Sequence, residues 1–209
     1  MVRVSGPAAR AAWRALTGSG LPPPRRAVLR RLKDQRGAVL DSALGFFFAG
    51  PHSATGEDVV EFHLHGGRAI AESVLQALAR VPGLRTAERG EFTRRAVMAG
   101  KLDLTQAEAL ADLIDAETEA QRTQALRQYD GALGATYEGW RHDLIRILAW
   151  AEAAIDFPDE DLPDDLDTQL RAPMDMLRQA MQAHLEDSRA GEIVREGIFV
   201  TILGAPNAG

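Results

Sequence analysis

The chain has 209 residues, 45% of them hydrophobic, and its 24 basic and 30 acidic residues leave a formal net charge of −6. This length is enough for one large domain or two small ones with a buried core. The acidic total argues against a dedicated nucleic-acid-binding module, because affinity for phosphates depends on clustered Lys and Arg. The absence of cysteine excludes disulfides and thiolate chemistry within these residues and fits a reducing, cytoplasmic environment. No run is long and apolar enough for a membrane span, so no membrane association is expected.

Residues 1–99 alternate short strands with helices. Ser5, a good N-cap residue, and Gly18, a typical residue after a helix end, delimit one predicted helix. Another helix is predicted after Gly66 and Gly67. Strands are predicted at residues 2–4, 27–32, 39–48 and from residue 59 onwards. This alternation predicts an α/β domain.

The strand that begins at Val59 carries candidate ligand-binding side chains. Strict alternation places Glu61, His63 and His65 on one face, opposite the apolar residues. Three such side chains could hold a metal ion. The favoured alternative is a polar sheet face, in which the acid accepts hydrogen bonds from a ligand or from the protein.

Two other charged groups also have a functional and a structural interpretation. Arg94 and Arg95 could hold a phosphate or a carboxylate, or could simply lie on a helix surface. The acidic run at residues 156–167 could attract Ca²⁺ or Mg²⁺. It lacks the glycine and the ligand spacing of a calcium loop, and it contains two prolines, so a solvated loop between helices is favoured.

The second half of the chain is predicted to be helical. Thr105 and Glu108 have the spacing of a capping box, from which one long helix is expected to run to about residue 128. A second helix has apolar residues recurring from Tyr137 to Ile155. A third is expected over residues 173–187, with Pro173 at its start. An α/β domain followed by an all-α domain makes the predicted fold class α+β.

The chain ends in FVTILGAPNAG, a short predicted strand followed by a glycine-containing loop. GAPNAG supplies both glycines of the phosphate-binding pattern G-x-x-x-x-G-K-[ST] but neither the Lys nor the Ser or Thr. Without those two residues nothing reaches the β- and γ-phosphates and no hydroxyl is offered to Mg²⁺. The loop by itself is therefore an incomplete nucleotide site.

Four segments resemble the bacterial tRNA-modification GTPases of the MnmE (TrmE) family. They are TGEDVVEFHLHGG at 55–67, the block PGLRTAERGEFTRRAVMAGKLDLTQAEALADLIDAETEAQ at 82–121, EAAIDFPDED at 152–161, and the terminal GAPNAG. They occur in the family's order and at compatible spacings. The resemblance covers essentially the whole chain, and the block around GKLDLTQAEALADLIDA is highly specific to that family.

The resemblance implies a particular domain organisation. Residues 1–99 are expected to form a tetrahydrofolate-binding and dimerisation domain similar to that of aminomethyltransferases. Residues 100–192 are expected to be the N-terminal half of an all-α helical domain, and residues 193–209 the first strand and P-loop of an inserted Ras-like GTPase domain. Because the family usually has a further segment before VRVSGP, the chain is expected to be a fragment that is short at both ends.

The resemblance also implies a function and its ligands. With the flavoprotein MnmG, in a heterotetramer, the family installs an aminomethyl-type (carboxymethylaminomethyl) group at C5 of the wobble uridine of tRNA, using a folate one-carbon unit and GTP hydrolysis. A homodimer is expected to form through the N-terminal domain. The candidate folate is 5-formyltetrahydrofolate or methylenetetrahydrofolate, while GTP, Mg²⁺ and K⁺ are expected only with the rest of the GTPase domain.

Individual residues can be assigned from the same resemblance. Arg3, Glu61 and Lys101 fall on the family's contacts to 5-formyltetrahydrofolate, and Asn207 falls on an asparagine associated with K⁺. The incomplete GTP site comprises Gly204, Asn207, Ala208 and Gly209. No catalytic residue is expected within this chain, and GTP hydrolysis by these 209 residues is not expected.

Two other functions remain open at this stage. A stand-alone folate-dependent enzyme of the aminomethyltransferase type would leave the terminal loop incidental, would need no GTPase domain and should not carry the GKLDLTQAEALADLIDA helix. A non-catalytic assembly module would use Arg3, Glu61 and Lys101 for no ligand.

Overall fold

The computed structural model describes residues 1–156, 166–197, 201, 203 and 204. The chain divides into two compact units, Met1–Leu104 and Thr105–Gly209. Most of the predicted terminal strand and P-loop lies outside the described residues, including Asn207, Ala208 and Gly209. Residues 157–165 of the acidic run at 156–167 lie outside them as well.

The first unit is a mixed α/β domain, and the rest of the described chain is helical. The strands are β1 (Val2–Ser5), β2 (Val28–Lys33), β3 (Val39–Phe48) and β4 (Val59–His63). The helices are α1 (Ala9–Thr17), α2 (Arg68–Ala79), α3 (Glu91–Met98), α4 (Leu104–Asp115), α5 (Glu119–Tyr129), α6 (Ala132–Asp156) and α7 (Leu166–Glu196). The predicted α+β fold class is confirmed.

The four strands form one sheet in the order β1-β4-β3-β2, and each neighbouring pair is antiparallel. Helices α1 and α2 pack on one face of this sheet and form the hydrophobic core with it. At its centre the Trp13 ring stacks on Phe62, with 5.6 Å between the ring centroids. Gly45 is required beside them, because a Cβ atom at this position would lie 2.5 Å from the Trp13 ring.

The opposite face of the sheet is made by the alternate residues of the same strands. Glu61 and His63 lie on it, and the half-buried rings of Phe46 and Phe48 lie next to them. Period-two alternation therefore buries Phe62 against α1 while it turns Glu61 to this second face. We call this second face, with its residues Arg3, Phe46, Phe48, Glu61 and His63, the open face.

The predicted N-terminus of the first helix was wrong. Helix α1 begins at Ala9, and Ser5 is the last residue of β1 instead of its N-cap. The Ser5 hydroxyl lies 2.6 Å from that of Thr55 and donates to Glu57 at 3.1 Å. The predicted end is confirmed, since Gly18 follows the helix with a left-handed φ of 63°, which glycine adopts without a steric penalty.

The single helix predicted at residues 105–128 is two helices in the structure. Helix α4 begins at Leu104, so the proposed capping box does not mark the start of the helix. A capping box is present instead at the start of α5, where Thr118 accepts a hydrogen bond from the Gln121 backbone N–H and the Gln121 side chain binds the Thr118 backbone N–H. These local hydrogen bonds compete with helical ones and separate the two helices.

The periodicity from Tyr137 to Ile155 correctly predicted α6. The third helix is longer than expected, because α7 spans 31 residues and contains Pro173 in its interior. A proline costs one backbone hydrogen bond and a local bend, which a helix of this length tolerates. The His184 ring of α7 contacts Trp140 of α6, with 5.3 Å between ring centroids. Within the described residues, no helix is both long and apolar enough to cross a membrane.

Candidate functional site

The open face carries an ion pair between neighbouring strands. The antiparallel register of β1 and β4 places Arg3 directly opposite Glu61. Arg3 Nε donates to Glu61 Oε1 at 2.6 Å, and the Glu61 side chain is only 12% exposed. A charge-assisted hydrogen bond at this distance holds the carboxylate in one orientation.

Two further groups enclose the Glu61 carboxylate. His63, two residues along the same strand, places its Nε2 atom 3.3 Å from Glu61 Oε2. The Phe46 ring lies beside His63, with 5.0 Å between ring centroids, and Phe46 is also the cross-strand partner of Glu61. Each carboxylate oxygen has two acceptor positions, so Glu61 retains the capacity to bind an N–H donor in addition to these neighbours.

Lys101 lies in the same unit, next to the loop that precedes β4. It follows α3, and its backbone N–H donates to the Ala96 carbonyl at 2.8 Å. Its exposed side chain approaches Gly56, where a Cβ atom would lie 3.7 Å from Lys101 Cε. The structure therefore brings two of the three predicted folate residues into direct contact and places the third next to the loop before β4.

A cleft of about 610 Å³ runs along β1 between α2 and α3. Its lining includes the charged residues Arg3 and Arg85 and the apolar residues Leu75, Leu84 and Phe92. The guanidinium of Arg3 lies over the Phe92 ring, 5.7 Å from its centroid. A concave, mainly apolar cavity of this size with a few polar groups is typical of a small-molecule site.

Sequence reasoning missed an ion-pair network centred on Glu91, which is 4% exposed at the start of α3. Arg85 donates to both Glu91 oxygens at 2.7 and 2.8 Å, and Arg95 donates to Oε1 at 2.7 and 3.1 Å. The hydrogen bonds from Arg85, from the Glu88 backbone N–H and from Arg95 hold the pKa of Glu91 far below its ordinary value. The four-residue spacing of Glu91 and Arg95 was the available sequence signal.

The same network decides between the two interpretations of the arginine pair. Arg95 bridges Glu91 and Glu57, whose carboxylate it contacts at 2.8 Å, so its charge is used within the protein. Arg94 is largely exposed and lies 3.9 Å from Glu88. The two residues therefore have different roles, and Arg95 holds the carboxylates of its own chain.

The three candidate metal ligands do not converge. Strand β4 ends at His63, and His65 turns to the buried Asp41 instead, with its backbone N–H and Nδ1 at 2.9 and 2.8 Å from that carboxylate. Burial alone raises the pKa of Asp41, but the hydrogen bonds from His65 and Ser42 outweigh it and leave the pKa below its ordinary value. In the part of the chain that the structure describes, no group of three or more His, Cys, Asp or Glu residues is placed to hold a metal ion.

Two family models match the chain, one after the other. The model described as "GTP-binding protein TrmE N-terminus" matches residues 1–101, and the model described as "MnmE helical domain" matches residues 104–199. The first unit therefore matches the N-terminus of a class of GTP-binding proteins, and the second matches a helical domain of the same family. The chain belongs to the MnmE (TrmE) family.

Similar proteins align along the full chain. A protein of Parvibaculum lavamentivorans, named tRNA modification GTPase MnmE, is 58% identical over 210 residues, which cover 100% of this chain and 48% of that protein. Proteins of the same name from Paramagnetospirillum magneticum and Granulibacter bethesdensis are 57% and 54% identical, over 99% and 100% of this chain and 47% of each of those proteins. The chain therefore spans about half the length of the relatives it matches.

Proposed function

We propose that this chain is the folate-binding part of a tRNA-modifying GTPase. The observation that carries the proposal is the Arg3–Glu61 ion pair, held across two strands on the open face beside a cleft of about 610 Å³. The family membership and the names of the relatives support the wider assignment to tRNA modification. The folate-binding role is the part that these residues themselves perform.

The chemistry of Glu61 suits the pterin ring of a folate. Arg3 fixes the direction of the carboxylate, so its free acceptor positions can receive the amino and ring N–H donors of a pterin. Phe46 and His63 provide adjacent ring surfaces against which a flat heteroaromatic ligand can pack. Lys101 and Arg3 are the cations suited to the glutamate carboxylates of the folate or to a pterin carbonyl.

The wider proposal concerns the assembly in which this site acts. The folate, 5-formyltetrahydrofolate or methylenetetrahydrofolate, supplies the one-carbon unit for an aminomethyl-type group at C5 of the wobble uridine of tRNA, in the cytoplasm and together with MnmG. GTP, Mg²⁺ and K⁺ act at a site to which Gly204, Asn207, Ala208 and Gly209 contribute.

A homodimer through the first unit is part of the same proposal. On the same side of the sheet as the open-face residues, Leu29 and Leu44 are 63% and 45% exposed and are cross-strand partners. Together they form an exposed apolar patch on β2 and β3. A second copy of the same surface would cover it symmetrically.

The experiment that tests the folate site is calorimetric titration of the 209-residue chain with 5-formyltetrahydrofolate. We expect Glu61→Ala to weaken binding at least about tenfold, because buried N–H donors of the pterin lose their acceptor. Glu72→Ala is the matched control, since Glu72 forms an exposed ion pair with Arg68 on α2. Equal affinities for the wild-type chain and Glu61→Ala would remove Glu61 from the site.

A further inference from the structure

The two oxygens of the Glu61 carboxylate have different neighbours. Oε1 accepts a hydrogen bond from Arg3 Nε at 2.6 Å, and an arginine stays protonated at every physiological pH. Oε2 faces His63 Nε2 at 3.3 Å. A ligand N–H donor that binds Oε2 of Glu61 therefore shares this oxygen with His63.

The surroundings of His63 contain few other charges. Strand β1 contributes Arg3 through its contact with Glu61, whereas β3 contributes the apolar residues Leu44 and Phe46. Helix α1 covers the opposite face of β4, where Trp13 stacks on Phe62, and so presents no charge to His63. Among the described contacts of the imidazole, Glu61 is the charged partner.

We propose that His63 is a positioning residue whose protonation state controls the access of a folate to Glu61. The inference rests on the proposed folate site. Imidazole is the side chain that changes charge between pH 5 and 8. When protonated, His63 donates a charge-assisted hydrogen bond to Oε2 and competes with the ligand, whereas a neutral ring that carries its proton on Nδ1 leaves Oε2 free.

The exposure of the two side chains fits this role. The Glu61 side chain is 12% exposed, so little water competes for its carboxylate. A hydrogen bond that His63 donates to this carboxylate is therefore weakened little by solvent. The His63 side chain is 45% exposed, so its ring is accessible to solvent. A folate would therefore bind more tightly at pH 8 than at pH 5.5.

The test is titration of the 209-residue chain with 5-formyltetrahydrofolate between pH 5.5 and pH 8. We expect the wild-type Kd to be about three- to tenfold higher at pH 5.5 than at pH 8, the range that one competing hydrogen bond produces. His63→Gln should flatten this dependence. His142→Gln, which removes an exposed imidazole near Glu138 in the second unit, should leave it unchanged.

A second variant keeps a fixed positive charge at the same place. His63→Lys should bind weakly at all these pH values, as the wild-type chain does at pH 5.5. The titration of the folate itself affects every variant alike, so the difference between variants reports on His63.

The failures of the two proposals are distinguishable. An identical pH dependence in the wild-type chain and His63→Gln, or tight binding by His63→Lys at low pH, would overturn the role of His63 and leave the folate site standing. Tighter wild-type binding at pH 5.5 would also overturn it, because His63 would then be attracting the folate carboxylates. A wild-type chain that is folded by circular dichroism and binds no folate at any pH would overturn both.

Discussion

The two faces of the four-stranded sheet are built from the same strands, yet they differ in composition. One face packs Trp13 on Phe62 and encloses the core with α1 and α2. The open face presents Glu61 and His63, which flank Phe62 in sequence. The difference shows how alternation lets one strand carry both a rigid packing layer and a polar site, because neighbouring side chains point in opposite directions.

Truncating one phenylalanine on each face is the strongest test of this division. Phe62→Ala should lower the free energy of unfolding by about 3–5 kcal/mol, since it removes a fully buried ring from beneath Trp13. Phe46→Ala should cost clearly less, because its ring is half-buried, and should weaken folate binding instead. Urea denaturation measures the first quantity and calorimetry the second. Equal stability losses would contradict the division.

The Glu91 network should make the stability of the first unit dependent on pH. A carboxylate whose pKa is depressed by folding adds stability above its ordinary pKa, and this stability is lost as the pH falls below that value towards the folded one. Glu91→Gln should lower the Tm by about 5–10 °C at pH 7 and reduce the loss of stability below about pH 4.5.

Urea midpoints between pH 3 and 7 measure this dependence. Glu88→Gln is the control, because its side chain is 75% exposed and lies 3.9 Å from Arg94. The Glu88 backbone N–H, which donates to Glu91, remains in that variant. A Glu91→Gln chain as stable as the wild type across this range would exclude a structural role for the network.

A smaller loss of stability is expected when a side chain is added at Gly45, on the packed face of the sheet. Gly45→Ala would bring its methyl group within 2.6 Å of the Trp13 ring, so the ring or the strand has to shift. We expect a loss of about 1–3 kcal/mol in the free energy of unfolding. Gly66→Ala, at a position with open space around it, is the matched control. If Gly45→Ala has no effect on stability, the packed face has more space around this position than the distances indicate.

Much of the local structure was predictable from the sequence. The alternation from Val59 correctly separated the buried residues of β4 from the polar ones, and the period from Tyr137 to Ile155 correctly identified α6. The helix boundaries were less predictable. Ser5 and Thr105 are good capping residues by type, but Ser5 is held by β1 and the loop before β4, and the helix at Thr105 begins one residue earlier.

The resemblance singled out Arg3, Glu61 and Lys101, yet it did not predict how they are arranged. Arg3 and Glu61 are 58 positions apart, and their contact follows from the register of β1 against β4. The roles of His63 and Arg95 were open between two interpretations. His63 contacts Glu61, two residues away on the same strand, whereas Arg95 is held by Glu91 on its own helix and by Glu57, 38 positions away.

The sequence by itself determined the fold class, the two faces of β4, the family, and the residue types that a folate site would use. These properties depend on neighbours within a few positions or on motifs that can be read directly. Only the tertiary structure decided that Arg3 contacts Glu61, that Arg95 links Glu91 to Glu57, and that His65 turns to Asp41. Such contacts depend on strand register and on the packing of distant segments, which no local pattern specifies.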